Sequence, residues 1–377
     1  MKIGFDGKRA VQNFTGLGNY SRYVITNLCR FFPDNEYWLY APKRRQSRPF
    51  DLLLRDCPQL RQVYASGWWS RAGAAWRSWG ITRQLDTDRI DIFHGLSNEL
   101  PLNIRKAGNL KCVVTIHDLI FLRYPQCYAP IDRTIYAYKF RKACEEADAI
   151  IAVSECTKRD IIRYFSIPEE KIQVIYQGCS PVFSYPVSEE KKQEVRRKYA
   201  LPERYILNVG SIEERKNALL LVQAMQEIPQ EIHAVLVGRP TPYSQKIADY
   251  CREKGLEKRV HLLHGVSFDD LPALYRLAEL FVYPSRFEGF GIPIIEALHA
   301  GVPVIAATGS CLEEAGGENS CYIHPDDVEG LAQTACSLLQ TPETCERMIR
   351  QGKEYVQRFS EKEQACQLMN LYRALMK

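Results

Sequence analysis

No stretch of this 377-residue sequence stays apolar for the roughly 20 residues that a membrane-spanning helix needs. The opening MKIGFDGKRA lacks the apolar centre of a secretory leader and reads as a first core strand. Thirteen cysteines are present, an odd number, with no C-x-x-C pair and no zinc-like spacing. They read as reduced thiols of a cytosolic protein. Gly16 and Gly18 form a G-x-G behind the first strand, but the third glycine of a dinucleotide fingerprint is missing, because Ser21 stands there. Short-period repeats and low-complexity tracts are also lacking. Membrane spanning, secretion, a disulfide scaffold and a nicotinamide cofactor are thereby disfavoured.

What is present is an ordinary globular composition, 46% hydrophobic and 25% charged. Its length predicts two domains. The net charge of +5 is unevenly spread. Residues 1–180 carry 27 Lys and Arg against 18 Asp and Glu, which leaves 23 against 27 for residues 181–377. A basic first half predicts an anionic partner there, and nucleic acid, anionic lipid and phosphorylated substrate all fit.

Short runs rich in Val and Ile alternate with amphipathic stretches. In the first half they are KIGFD, EYWLYAP, DIFHG, CVVTIHD, AIIAVS and IQVIYQG; in the second, YILNVGS, HAVLVG, VHLLHG, LFVYPS, VPVIAA and SCYIHP. Such runs are buried parallel strands of βαβ units. The predicted fold is α/β, two Rossmann-like doubly wound domains with ligands at the carboxyl ends of both sheets, in a cleft between them. The expected domains are 1–180 and 204–355, with a linker at 181–203 and a closing helix at 356–377.

The sharpest local signal is PSRFEGFGIPIIEALHAGVPVIA, residues 284–306. A strand ends near Pro284, and Glu288-Gly-Phe-Gly291 is a turn suited to glycine. Pro293 fits a first helical turn, and Gly301 fits the position just past its end. The amides of Phe290, Gly291 and Ile292 would then sit at a helix N-terminus, where orphan N–H groups and the dipole favour phosphate. Glu288 and Glu296 flank that site as carboxylates able to accept bonds from sugar hydroxyls. A solvated Glu288 and an ordinary helical Glu296 are the plainer reading.

The pattern E-G-F-G-x-P-x-x-E resembles the donor-site signature of the retaining GT-B glycosyltransferases of family four. GSIEERKN (210–217), LVGR (236–239), the stretch 261–285 and the stretch 308–327 resemble the flanking segments of the same family. In the first half TGLGNYSRYV, DIFHG, THDL and AVSECTKRDI do so as well. The resemblance covers nearly the whole chain, and its style is that of bacterial mannosyltransferases of surface-polysaccharide assembly.

The resemblance implies a GT-B fold with an acceptor domain first and a donor domain second. It implies that Arg215 and Lys216 hold the diphosphate of a nucleotide sugar in place of a divalent metal, and an Asp-x-Asp triplet to bind such a metal is expected to be absent from the chain. Glu296 would bind the ribose and Glu288 the donor sugar, while Gly210 belongs to the phosphate-side turn. Gly238, Arg239 and the backbone at Val266 would border the base. The glycine loop of Gly16 and Gly18 would approach the donor phosphate, and His117, beside Asp118, would bond the transferred sugar. His94 is a weaker candidate for the same cleft. Metal and cofactor are expected to be absent, the configuration to be retained, and GDP-mannose to precede UDP-hexoses as donor. The acceptor would be a glycan or a lipid-linked glycan, and nucleic acid is not a partner. A self-neutralising turn at Glu213-Glu214-Arg215-Lys216 is the alternative for the two cations. For the whole chain the alternatives are a non-catalytic nucleotide-sugar-binding protein and a sugar-nucleotide epimerase.

SGWWSRAGAAWRSWGITRQ (66–84) holds four of the five tryptophans together with Arg71, Arg77 and Arg83. It fits either a helix packing Trp76 and Trp79 inward or an aromatic, basic face for the inner leaflet. With KRRQSR (43–48), the second reading makes the chain a cytoplasmic enzyme peripheral to the membrane. The sequence departs from the family at Gln177, where Asn is common, and at Glu313, where Pro is common. Neither departure touches the phosphate-gripping residues.

Overall fold

The computed structural model describes residues 1–13 and 15–377. They form two compact units, Met1–Gln177 with Glu361–Lys377, and Gly178–Ser360.

The first unit is built on seven strands: β1 (Lys2–Asp6), β2 (Glu36–Ala41), β3 (Arg61–Tyr64), β4 (Ile92–Gly95), β5 (Lys111–Ile116), β6 (Ala149–Ala152) and β7 (Ile172–Val174). Their spatial order is β3-β2-β1-β4-β5-β6-β7, and every pairing is parallel. Alternate residues supply two cores. Phe5, Leu39, Ile92, Val113 and Ile151 point to one face, and Tyr40, Phe93, Val114 and Ile150 to the other. That period of two, with both faces covered by helices, explains why the strands read as continuous apolar runs. The edge strand β3 escaped the sequence reading because RQVY is half exposed and carries a single aliphatic residue.

The helix Glu361–Leu375 belongs to this first unit. Ala365, Leu368, Met369 and Tyr372 join the core on the Phe5 face. Tyr372 also bonds Nδ1 of His94 through its hydroxyl at 2.6 Å.

The second unit has six parallel strands: β8 (Tyr205–Val209), β9 (His233–Val237), β10 (Val260–Leu263), β11 (Leu280–Tyr283), β12 (Val304–Ala307) and β13 (Cys321–Ile323), in the order β10-β9-β8-β11-β12-β13. The order reverses between β8 and β11, so the crevice outside their carboxyl ends is where such a sheet binds ligands.

Residues 181–203, expected to be a linker, are instead folded onto this unit. Phe183 is fully buried against Tyr275, with ring centroids 5.5 Å apart. The helix Glu189–Lys198 is tied by Lys191 and Lys198, each 2.7 Å from Asp270. Prolines and a charge run mark a surface segment, but they do not show whether that segment is anchored. None of the helices among the described residues is long and apolar enough to cross a membrane.

Candidate active site

In the second unit β11 ends at Tyr283, and the chain passes Ser285 to reach Glu288 before the helix Ile292–Ala300 begins. Gly291 caps that helix at φ 126°, a conformation that β-carbon sterics deny other residues. A β-carbon there would lie 3.1 Å from Leu312 and 3.2 Å from Ala315. Pro293 sits in the first turn, and Gly301 follows the last at φ 75°. Cys311 lies beneath the turn, its sulfur 3.0 Å from the carbonyl oxygens of both Glu288 and Phe290.

From the carboxyl end of β8, Glu214–Lys216 make one 3₁₀ turn that brings two cations to this carboxylate. Nζ of Lys216 is 2.9 Å and Nη1 of Arg215 3.1 Å from Oε1 of Glu288. Ser285 donates to the same oxygen at 2.7 Å, and the Tyr283 hydroxyl lies 3.1 Å away. All three charged side chains are under 20% exposed, at 14%, 17% and 13% for Arg215, Lys216 and Glu288. Burial alone would push the Glu288 carboxyl up; Lys216 and Arg215 outweigh it and hold the group at about 2. Lys216 is likewise kept protonated by Glu288 against its own burial. Arg215 also donates to Glu213, at 2.7 Å, and to the carbonyl of Phe287. The self-neutralising turn is therefore right about one pair, Arg215 and Glu213. Lys216 has turned to the signature loop instead.

Glu296, one turn along the helix, has a different environment. Its partner is the Tyr275 hydroxyl at 2.8 Å, and no ion pair reaches it among the described residues. Burial raises it to about 7, only partly opposed by Tyr275. Two carboxylates eight positions apart are thus set to opposite states, one ionised and one poised near neutrality.

Several residues that the motifs did not single out complete the site. Asn217 sits at φ 58° and donates to the carbonyls of Pro284 (3.1 Å) and Pro325 (2.7 Å), joining the ends of β11 and β13. Tyr283 and Ser285 were visible only as the end of a strand. Gly210 and Gly238 are a close-packed pair: a β-carbon on Gly238 would come within 1.8 Å of the Gly210 carbonyl oxygen. His264 bonds the Gly238 carbonyl at 2.7 Å. Arg239 is exposed and Val266 half-buried nearby, with Gly238 between β9 and this edge.

In the first unit the expectations meet more corrections. Gly16 and Gly18 lie in the first turn of the helix Gly16–Phe31 and do not form a flexible loop. Gly18 is demanded by packing, because a β-carbon would lie 1.9 Å from the carbonyl oxygen of Asn13. His117 is 6% exposed, with Nε2 2.9 Å from the Leu96 carbonyl and Nδ1 3.0 Å from the Gln177 amide. The carbonyl fixes the proton on Nε2, so Nδ1 accepts from Gln177. Burial lowers the imidazole to about 4. Both ring nitrogens are engaged within the unit, and a sugar hydroxyl would have to displace one partner. The departure at Gln177 is thus a contact of the predicted histidine. His94 is fully buried between Thr115 and Tyr372, a packing role and not a cleft one.

Against the expectation of none, the chain carries one Asp-x-Asp triplet, Asp86-Thr87-Asp88. It closes the helix Ile81–Thr87 ahead of β4, at the amino edge of the sheet. Asp88 is bonded by Tyr40 at 2.8 Å and Gln84 at 3.0 Å. Its position is opposite to the carboxyl edge where ligands bind.

The tryptophan segment divides. Trp76 is buried, while Trp79 is 52% exposed and Trp68 67% exposed, so the expected inward packing holds for one ring only. Arg77 is withdrawn from the surface by Asp6 at 2.5 Å and Glu99 at 2.6 Å.

Two Rossmann-like units, the second bearing a cationic turn and a carboxylate-flanked helix N-terminus, define a GT-B glycosyltransferase. Comparison with known proteins agrees. Residues 21–182 match Glycosyltransferase Family 4, and residues 191–355 match Glycosyl transferases group 1. The O-antigen chain mannosyltransferase B of Escherichia coli is 32% identical over 290 residues, 75% of this chain and 74% of that one. The serotype-specific mannosyltransferase WbdA of Escherichia coli is 32% identical over 253 residues; this chain spans only 31% of that longer protein. Among solved structures, Anabaena HepE in complex with UDP and glucose superposes with a TM-score of 0.78 at 17% identity, covering 99% of this chain and 100% of its own. WaaG, a glycosyltransferase of lipopolysaccharide biosynthesis, does so at 0.71 and 17%, covering 99% of both chains. The chain belongs to glycosyltransferase family four.

Proposed function

We propose that this glycosyltransferase moves a hexose, mannose before others, from a nucleoside diphosphate sugar to a glycan or lipid-linked glycan of a surface polysaccharide, with retention and without a metal. The observation that carries the reading is the Arg215–Lys216–Glu288 cluster at the N-terminus of the helix Ile292–Ala300. Two cations and the orphan amides of Phe290, Gly291 and Ile292 suit a diphosphate, and they would stabilise charge developing on it as the glycosidic bond breaks. The relatives named O-antigen chain mannosyltransferase B and serotype-specific mannosyltransferase WbdA support mannose, and the first of them a glycan acceptor. HepE, solved with UDP and with UDP-glucose, supports a nucleotide sugar as donor and keeps UDP-hexoses second to GDP-mannose.

In this reading Lys216 and Arg215 grip the diphosphate, Glu288 orders them and meets the sugar hydroxyls, and Glu296 takes the ribose. The resemblance to the family implies front-face transfer, in which the leaving diphosphate accepts the proton of the acceptor hydroxyl. Work at the cytoplasmic side of the membrane belongs to the same proposal.

The test is a donor panel. Purified protein is given GDP-mannose, UDP-glucose and other nucleotide sugars in EDTA with an extracted polysaccharide acceptor, and nucleoside diphosphate release and product anomer are read. Acceptor-dependent release of GDP with an α-linked product is expected. Release that requires added metal, or donor conversion without acceptor, overturns the reading.

A further inference from the structure

The first unit contains a second cationic site that the transfer reaction as described does not use. Outside the carboxyl ends of β1 and β2, Lys8, Gln12, Lys43, Arg71, Arg77 and Lys139 line a cavity of about 380 Å³. That volume suits a small ligand. Lys8 follows β1, Lys43 follows β2, and Lys139 comes from the helix Pro130–Glu146, so three separate crossovers place cations around one space. Their charge is not balanced. Arg77 is neutralised from behind by Asp6 and Glu99, and Lys139 shares Glu99 at 3.5 Å. Among the described residues no carboxylate pairs with the side chains of Lys8, Lys43 or Arg71. Five cations therefore face two carboxylates, leaving three positive charges over. Burial and then the neighbouring Arg77 lower Lys8, outweighing the more weakly felt Glu99 and Asp6, so the two carboxylates do not offset the crowding of cations.

Gly73 and Ala74 also line the cavity, and they open the helical stretch that continues through Trp76–Gly80 to Thr87. Gly73 can come this close because it lacks a β-carbon, which would meet Pro42 at 2.9 Å.

We propose that this cavity binds a phosphate or diphosphate group, and that the group belongs to the acceptor of the transfer reaction. The second half of that statement rests on the function proposed above; the anion site itself does not. The acceptor would then be a phosphorylated sugar or a glycan carried on a lipid phosphate, whose oxyanions the free lysines and Arg71 meet by charge-assisted bonds. The exposed Trp68 and Trp79 lie in the same segment as Arg71 and would serve the lipid-borne form.

Inorganic pyrophosphate is the probe, titrated calorimetrically into the full chain. Lys43 and Arg71 are exposed, so the pair Lys43→Glu and Arg71→Glu can be reversed without unfolding the unit. In a Lys216→Ala background, which removes the donor site, pyrophosphate should still bind, and the double reversal should weaken that binding about tenfold or more. Binding that survives the reversal unchanged, or that Lys216→Ala alone abolishes, overturns the proposal. If Lys216→Ala leaves the wild-type isotherm intact while the reversal abolishes it, the donor reading fails and the second site stands. Sedimentation with phosphatidylcholine vesicles, with and without polyprenyl phosphate, separates the sources. Recruitment lost on reversal marks a lipid-borne group, and pyrophosphate binding without recruitment marks a soluble one.

Discussion

Nζ of Lys216 rests 2.9 Å from Glu288, 72 residues further along the chain. Lys216 comes from the carboxyl end of β8 and Glu288 from that of β11, the two strands flanking the point where the sheet order reverses. The pair therefore fixes the signature loop to the cationic turn as well as supplying charge to it. Lys216→Ala should remove a diphosphate contact and free Glu288 on one side. Transfer measured as kcat/KM should fall about 100-fold or more. Arg215 continues to hold Glu288, so the melting temperature should drop much less than in Glu288→Ala, which leaves Lys216 without a carboxylate and Arg215 with Glu213 alone.

Glu296 gives a pH signature. Its folded value, near 7, lies above the ordinary 4.5, so its contribution to stability is complete below about pH 4.5 and is lost as pH rises through 7. Glu296→Gln carries no ionisable group. Relative to wild type it should gain stability between about pH 5 and pH 8, by at most about 3 kcal/mol. If ribose hydroxyls donate to this carboxylate, nucleotide affinity should rise over the same interval in wild type and stay flat in the variant. Titration in buffers of different ionisation enthalpy would read the released proton.

Asn217 tests architecture apart from charge. Asn217→Ala loses bonds to two carbonyls and places alanine at φ 58°. A cost of about 2–4 kcal/mol in urea unfolding is expected. Asn217→Gly should recover the backbone part and none of the hydrogen bonding.

Tyr372→Phe removes the hydroxyl that meets His94 inside the first unit. The imidazole would lose one of its two partners without gaining water, a cost of about 1–3 kcal/mol. Limited proteolysis should then release the helix Glu361–Leu375 at lower urea than in wild type, while the second unit keeps its resistance.

Gly18→Ala should be more harmful than Gly16→Ala, which meets open space. The added methyl at Gly18 must move Asn13, and a drop in melting temperature confined to the Gly18 variant checks it.

How far the residues spoke for themselves differs by element. Twelve of the thirteen strands announce themselves through apolar runs, since parallel strands are covered on both faces. The helix Ile292–Ala300 was bounded correctly by Pro293 and Gly301, because backbone geometry selects those residue types. Side-chain partnership was less legible. That His117 is taken by Leu96 and Gln177, or that Arg215 reaches both Glu213 and Phe287, depends on three-dimensional proximity that no local pattern encodes. The same holds for the phosphate cavity. Lys8, Lys43 and Lys139 are spread over 131 positions, and in sequence each looks like an ordinary solvated lysine.

The shared carboxylate of Glu288 would also set the terms on which the proposed nucleotide enters. Arg215 and Lys216 are engaged by Glu288, so a diphosphate gripped by them as proposed would compete with an internal anion for the same two cations. Binding becomes an exchange of counter-ions and not the capture of a bare charge. In the proposed reading such a site would discriminate by denticity, since a chelating diphosphate anchored at its far end by a ribose replaces the bonds of Glu288 more fully than a single small anion can. In a cell rich in small anions, that threshold would keep the site vacant for its proper guest.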